Sequence, residues 1–323
     1  MASRVSLVAS HLVAHNATAA APADPFSPSD PYIASLLAHN AAALAQFNER
    51  NGTSPISVSF DAKVPHVGII TFNNPAQLNS LSVGMGKAFG RAIDFLNDTA
   101  RDVRAVVLTG EGRAFCAGAD LRRAGTRQKG LDDDKVYEGS EFYNLYLGPI
   151  RRCKVPLICS INGHAIGAGF SVALACDMRT AFKDAKVGVN FVRLGLHPGM
   201  AATQTLPLLL GTQHAARLLL TGELQPASHP LMSPLFLSTH DTPAASLAAA
   251  LDVARKAASA SPLAVQATTK TLRMRWEANI DQTLEREGWG QMMGRLVEGG
   301  AQVAEGTRAT AEKREPVFRP VDK

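Results

Sequence analysis

Residues 157–182 read LICSINGHAIGAGFSVALACDMRTAF. A mostly apolar run, LICSI, passes into a glycine-bearing turn, then an apolar helical segment, then a second short strand-like run, MRTAF. Two buried strands joined by a helix over so short a stretch are satisfied by a right-handed βαβ unit, and strands of this kind belong to a parallel sheet covered on both faces.

The same alternation runs through the middle of the chain. Ile56–Phe60 and Val67–Asn73 are β-rich runs around a polar turn, which predicts a hairpin. Ser82 opens a helix to about Thr99, with Met85, Ala88, Phe89, Ala92, Ile93 and Leu96 at helical spacing. Arg104–Thr109 reads as a buried strand ended by Gly110 and Gly112, and an FCAGADL loop follows. The polar stretch 125–138 reads as mobile loop before a helix that runs toward Arg152. Leu157–Ile161, Gly167–Ala175 and Met178–Phe182 are then strand, helix and strand. From Ala201 the pattern is helical, over Ala201–Leu210, Gln213–Thr221, Pro243–Ala260, Pro262–Leu272 and Asn279–Val297. The chain divides into an extension over 1–55, a βα core over 56–242 and a helical region over 243–323. Pro31–Asn48 adds an amphipathic helix to the extension, with Ile33, Leu36, Leu37, Ala41 and Leu44 on one face.

Composition narrows the function. With 46% hydrophobic and 19% charged residues among 323, the chain has the material for a large core. No apolar run approaches the roughly 20 residues needed to cross a bilayer, so no membrane role is expected. A net charge of +5, spread among acids, gives no nucleic-acid footprint. Cys116, Cys153, Cys159 and Cys176 show no metal-ligand spacing and read as buried thiols, so no metal is expected.

FCAGAD and HAIGAGF share one design, with small residues and glycine between a buried strand and a helix. Glycine lets the backbone approach a ligand, and the first amides of a helix have no internal partner and favour negative charge. Each turn alone is also what tight packing of a helix on a sheet would require. Two such loops converging on one point would aim two N–H donors at a single oxygen.

Taken in order, NNPAQLNSLS, AVVLTGEGRAFCAGADLR, KVPLICSINGHAIGAGFSVALACDMR, GLHPGMAATQTLPLLLG and ARLLLTG resemble the crotonase superfamily, the enoyl-CoA hydratase/isomerase family, over about 58–272. The resemblance implies an α/β crotonase fold: a spiral of ββα units completed by a helical C-terminal region that supports homotrimers or hexamers. It implies an acyl-CoA thioester as substrate rather than a bound cofactor, with its enolate held in an oxyanion hole. By position the two oxyanion amides belong to Ala119 and Ala168, the latter in place of the family's common glycine. The CoA moiety is expected along Ala117–Ala119, with Arg122 near its phosphates. Leu78 replaces the basic residue that often precedes the family's asparagine, here Asn79.

Hydration or double-bond migration requires proton transfer, usually through carboxylates or histidines. The stations that carry acids in the family's hydratases fall on Ser171 and Phe191, and the one used by some isomerases and dehalogenases falls on Gly199. None ionises as a carboxylate. Substitutes are His197, His164 and, on the helix after the polar stretch, Glu138, Glu141, Tyr143 and Asn144, with Glu141 the best carboxylate. Asn190 and Ser171 are able to orient a water without exchanging its proton. Asp120 and Asp177 read as caps or structural partners. The expected function is an enoyl-CoA hydratase/isomerase-like enzyme of fatty-acid β-oxidation. A catalytically weak acyl-CoA-binding homologue, or a decarboxylase or thioesterase, stands as the alternative.

The run RVSLVASHL, Arg4–Leu12, resembles an N-terminal peroxisomal address, while the acid-poor extension also suits a mitochondrial transit peptide.

Overall fold

The computed structural model describes residues 26–52, 54–119, 128–129, 136–137 and 140–320, so the Arg4–Leu12 run lies outside the described residues. Along the chain, helix α1 (Pro31–Asn51) precedes the hairpin of β1 (Ile56–Phe60) and β2 (Val67–Phe72). Helix α2 (Val83–Leu96) leads to β3 (Ala105–Gly110) and the short β4 (Ala114–Cys116). Within the polar stretch, β5 (Gln128–Lys129) and β6 (Val136–Tyr137) pair as an antiparallel ribbon before α3 (Ser140–Arg152). Strands β7 (Leu157–Ile161) and β8 (His164–Ile166), helix α4 (Ala168–Ala175), β9 (Met178–Phe182) and β10 (Lys186–Gly188) follow. The chain continues through α5 (Ala202–Leu210), α6 (Thr212–Thr221), β11 (Gln225–Pro226) and β12 (Ser238–His240). It closes with α7 (Pro243–Ala258), α8 (Pro262–Glu277), α9 (Ile280–Leu296) and α10 (Ala301–Glu312).

The main sheet has six strands in the order β1-β2-β3-β7-β9-β12. The β1–β2 pair is antiparallel and every later pair is parallel, so each later strand returns through a crossover. Strand alternation explains why β3 is buried throughout. Val106 and Leu108 face the larger core with Phe72, Phe89 and Phe115, while Ala105 and Val107 face a second cluster with Ala250, Ala254 and Ala258 of α7. Those alanines and Ser246 recur every fourth residue, a stripe slim enough for α7 to lie close on the sheet. Ser246 is fully buried, and its Oγ meets Ser160 Oγ at 3.1 Å and Thr180 Oγ1 at 3.0 Å, so the polar positions of that seam satisfy one another.

A smaller sheet, β11-β10-β8-β4, stands beside the first. Its β4, β8 and β10 are parallel neighbours, and β4 and β8 run directly into the two glycine loops. Turns before it are fixed by two carboxamides. Asn79 is fully buried and donates to the carbonyls of Glu111 (2.9 Å) and Ala114 (2.8 Å), while Asn162 donates to Gly112 (2.9 Å) and accepts from the Gly110 N–H (3.1 Å).

The helix of the extension docks on the core. Ile33 and Leu36 of α1 are buried, Asn40 donates to the Arg101 carbonyl at 3.2 Å, and the rings of Phe26 and Tyr32 lie 5.5 Å and 6.3 Å from that of His66. His66 is 1% exposed, with Nδ1 2.9 Å from the Asp102 carbonyl oxygen. Burial pulls its pKa below the usual histidine value, more than the Asp102 carbonyl raises it, and Arg104 adds to the depression. The imidazole is therefore neutral in the folded chain, whereas the unfolded chain takes up a proton below about pH 6.5. Stability contributed by His66 is present above that pH and falls as pH drops toward the folded pKa. Chemical denaturation at about pH 7.5 and about pH 5 is expected to show a smaller acid-side loss for His66→Gln than for the unaltered chain; equal losses would exclude His66 as the titrating group.

Candidate active site

The loop after β4 is laced to the LNSL segment. The Leu81 N–H donates to the Gly118 carbonyl at 2.8 Å, the Ala117 N–H donates to the Leu78 carbonyl at 3.0 Å, and Leu81 and Ala119 form a parallel bridge. Gly118 has φ +95°, a conformation that an L side chain strains. A methyl group on Gly118 would lie 2.8 Å from the Ile166 carbonyl oxygen and 3.8 Å from the Ala168 nitrogen. The first loop thus passes directly over the start of α4. Gly169 completes the contact, since a methyl there would come within 2.3 Å of the Cys116 carbonyl oxygen and 2.6 Å of its Sγ.

Gly167, at φ +56°, is the N-cap of α4, and its own N–H donates to the Gly188 carbonyl at 2.8 Å. The next amide, Ala168, is the first of the helix and has no carbonyl behind it within the helix. Among the described residues neither the Ala119 nor the Ala168 N–H donates to a backbone carbonyl. All eight residues of α4 are buried, and its first turn carries no acid, so the partial positive charge of its N-terminus lies in a low-dielectric setting. At its other end the buried Arg179 donates to the carbonyls of Leu174 (3.1 Å) and Cys176 (2.6 Å), and through Nε to Leu235 (2.8 Å). Two backbone donors on converging loops can stabilise an oxyanion without help from side chains.

The side chains nearby are mostly spent. Ser171 is buried, and its Oγ donates to the Gly167 carbonyl at 3.2 Å. Phe191 is buried in the larger core. A side chain at Gly199 has no space, because a methyl there would lie 2.6 Å from both Gln291 Nε2 and the Tyr143 ring. Tyr143 and Gln291 are hydrogen-bonded at 2.8 Å, and Gln291 also donates to the His197 carbonyl at 3.0 Å. Burial pushes the Tyr143 phenol up to about 12, so it stays neutral.

His197 Nδ1 lies 2.7 Å from the Pro198 carbonyl oxygen, and its ring packs where a methyl on Gly290 would be 2.6 Å away. His164 is exposed at the start of β8, where its Nδ1 accepts from the Lys186 N–H at 3.0 Å, and Ala165 and Ile166 separate it from Gly167. Glu141 is exposed in the first turn of α3, and Asn144 is exposed one turn on. Asp177 is a structural partner, accepting from the Leu157 N–H at 2.7 Å and from Arg273 at 2.6 Å and 2.7 Å. Asp120, Arg122 and Glu138 lie outside the described residues. Burial pushes the Cys116 thiol up to about 12 and the Cys153 thiol up to about 11, so both stay protonated.

One buried acid escapes sequence reasoning. Glu287 of α9 reaches the N-terminus of α5, where its carboxylate accepts from Ala201 N–H (2.7 Å), Thr203 N–H (3.0 Å) and Thr203 Oγ1 (2.6 Å). Burial raises its pKa against those hydrogen bonds. Its distance along the chain from Ala201 leaves no local signal, and its oxygens are engaged in capping rather than open to a ligand.

A family model described as enoyl-CoA hydratase/isomerase matches residues 63–320. The probable enoyl-CoA hydratase EchA14 of Mycobacterium tuberculosis is 36% identical over 219 residues, covering 68% of this chain and 81% of that protein. The (E)-benzylidenesuccinyl-CoA hydratase of Thauera aromatica is 30% identical over 259 residues, 79% of this chain and 96% of that one. A solved enoyl-CoA hydratase/isomerase from Pseudoalteromonas atlantica matches with a TM-score of 0.70 at 28% identity, over 82% of this chain and 100% of that one. The fold, its paired glycine loops and these likenesses agree: the chain belongs to the enoyl-CoA hydratase/isomerase family.

Proposed function

We propose that the protein binds an enoyl-CoA thioester and stabilises the enolate formed at its carbonyl with the amides of Ala119 and Ala168, as a hydratase or isomerase of fatty-acid β-oxidation. The observation that supports this reading is the close approach of the first loop to the start of α4, where a methyl on Gly118 would lie 3.8 Å from the Ala168 nitrogen, as an oxyanion site built from two converging backbone donors requires. CoA then lies along Ala117–Ala119, with Arg122 at its phosphates. Glu141 and His197 are the groups to test for proton transfer. Incubation with enoyl-, dienoyl- and malonyl-type CoA esters, followed by mass, should convert an enoyl ester. Loss of that conversion in Glu141→Gln or His197→Gln would identify the acid or base; conversion of a malonyl-type ester alone would replace the reaction type.

A second reading is a catalytically weak acyl-CoA-binding homologue. The buried Ser171 and Phe191 and the filled space at Gly199 favour it. Tight binding of CoA esters with no turnover would establish it. We further propose a homotrimer or hexamer built on the helical region, a reading supported by the exposed Leu263, Leu272 and Met274 of α8. The Arg4–Leu12 run supports a peroxisomal location, with the mitochondrial matrix as the other reading; a fluorescent protein carrying the extension would reveal which organelle takes it up.

A further inference from the structure

We infer that Asn190 is a positioning residue of the thioester site, whose carboxamide holds the water that reacts with the bound acyl chain. The inference rests on the hydratase reading above. Asn190 opens the 3₁₀ turn Asn190–Leu194 that follows β10. Strand β10 runs parallel to β8, with Val187 beside Ala165 and Gly188 beside Ile166, so the two strands deliver Asn190 and Gly167 side by side. The contact is close: a methyl on Gly167 would lie 3.2 Å from Asn190 Oδ1. With φ +56° the position already disfavours a side chain, and beyond its chain neighbours Asn190 Oδ1 is what a methyl there would meet within 4 Å.

The other polar groups around the turn have partners, as Ser171 Oγ has in Gly167, His164 Nδ1 in Lys186 and Tyr143 in Gln291. Asn190 is half-buried, and among the described residues its carboxamide makes no hydrogen bond. A carboxamide has an acceptor and two donors, and one left unsatisfied and half-exposed binds water with little loss of enthalpy. It does not ionise, so it orients water without taking its proton. In hydration the water oxygen bonds to the β-carbon, and the C=C pair moves toward the thioester oxygen as the enolate held by the two amides. The enolate then takes a proton at the α-carbon, with the water's own proton as the net source.

Kinetics with crotonyl-CoA from about pH 3.5 to about pH 9, a range that spans the ordinary aspartate titration at about 3.9, beside binding of the saturated butyryl-CoA, test this. Asn190→Ala should lower kcat by about tenfold or more while butyryl-CoA affinity stays within about twofold. Asn190→Asp preserves the shape and adds a titrating acceptor, so its kcat should rise with pH through the new carboxyl's titration, a limb absent from the unaltered enzyme. Wild-type kcat in Asn190→Ala overturns the assignment alone, as do matched losses of kcat and butyryl-CoA affinity in both variants with no new limb. Unaltered protein that binds butyryl-CoA but leaves crotonyl-CoA unchanged overturns the hydratase reading and the Asn190 role together. If the alanine variant fails to fold, the pH profile of the isosteric aspartate variant decides.

Discussion

Gly118→Ala is expected to lower kcat by about 100- to 1000-fold on the thioester the protein uses, the loss typical of removing one oxyanion donor. Two costs arise at this position. The backbone is at φ +95°, and the added methyl would stand 2.8 Å from the Ile166 carbonyl oxygen, closer than carbon and oxygen normally approach. The obstacle is backbone, not the movable end of a side chain, so the loop and the end of β8 must separate. Separation moves the Ala119 amide away from the Ala168 amide. Gly211→Ala is the control, since Gly211 has φ +74° and nothing within 4 Å of an added methyl. With ψ 162° Gly211 lies in a region open almost only to glycine, so this variant carries a backbone strain of about 1–3 kcal/mol without the clash at the loop. Steady-state kinetics on both variants, with thermal melts, separates strain from geometry. Equal kcat in the two alanine variants would remove the case for an oxyanion site built on these amides.

How much of this was visible beforehand differs between the sheets and between backbone and side chains. Strands β3 and β7 were legible because strands buried on both faces read as largely apolar runs, and the hairpin because two β-rich runs flank a polar turn. Helix ends were set within a few residues by Ser82, Gly167 and the prolines at 243 and 262, although α8 runs on past Leu272 to Glu277. The smaller sheet was not legible. Its strands span two or three residues, too few for a period, and Ala114–Cys116 and His164–Ile166 look like the flanks of glycine loops. Helix α10 was missed because it buries Gly306 and Ala309 rather than large side chains; a methyl on Gly306 would lie 2.6 Å from Leu194 Cα, so this helix backs the turn that carries Asn190.

At the site, the glycines of both loops marked where the backbone can approach closely, while the choice of the Ala119 and Ala168 amides came from the family resemblance. The fate of His164, Ser171 and Glu287 depends on which way each side chain points after the strands are in register, and no local pattern encodes it. Asn79 and Asn162 left only a faint sign, a lone carboxamide within an apolar stretch, yet they fix the turns before β4.

Asp177→Asn is expected to destabilise the fold by about 3–5 kcal/mol, the usual cost of stranding one partner of a buried ion pair. The pair is well enclosed, with side-chain exposures of 9% for Arg273 and 18% for Asp177. Burial lowers the guanidinium pKa of Arg273, and the Asp177 hydrogen bond and charge more than restore it, so the cation depends on that carboxylate. Arg273 also donates to the carbonyls of Cys153 and Val155, tying α8 to the segment between α3 and β7. Thr269 and Arg273 are the only buried residues of this helix, and its other fastening is at the C-terminal end, where Trp276 packs on the larger core and donates through Nε1 to Thr205 Oγ1 at 2.9 Å. The loss should therefore begin locally, as fraying of α8 away from β9, before the sheet opens. Hydrogen exchange should show Pro262–Glu277 losing protection first, with Tm falling by roughly 10 °C. An asparagine variant with unchanged exchange over α8 would show that apolar contacts, not the ion pair, hold the helix. Arg273→Met should also destabilise, since it strips the Cys153 carbonyl of this donor and leaves the Asp177 carboxylate without its cation. The double variant should lose less than the two single losses together, the coupling expected of groups in direct contact.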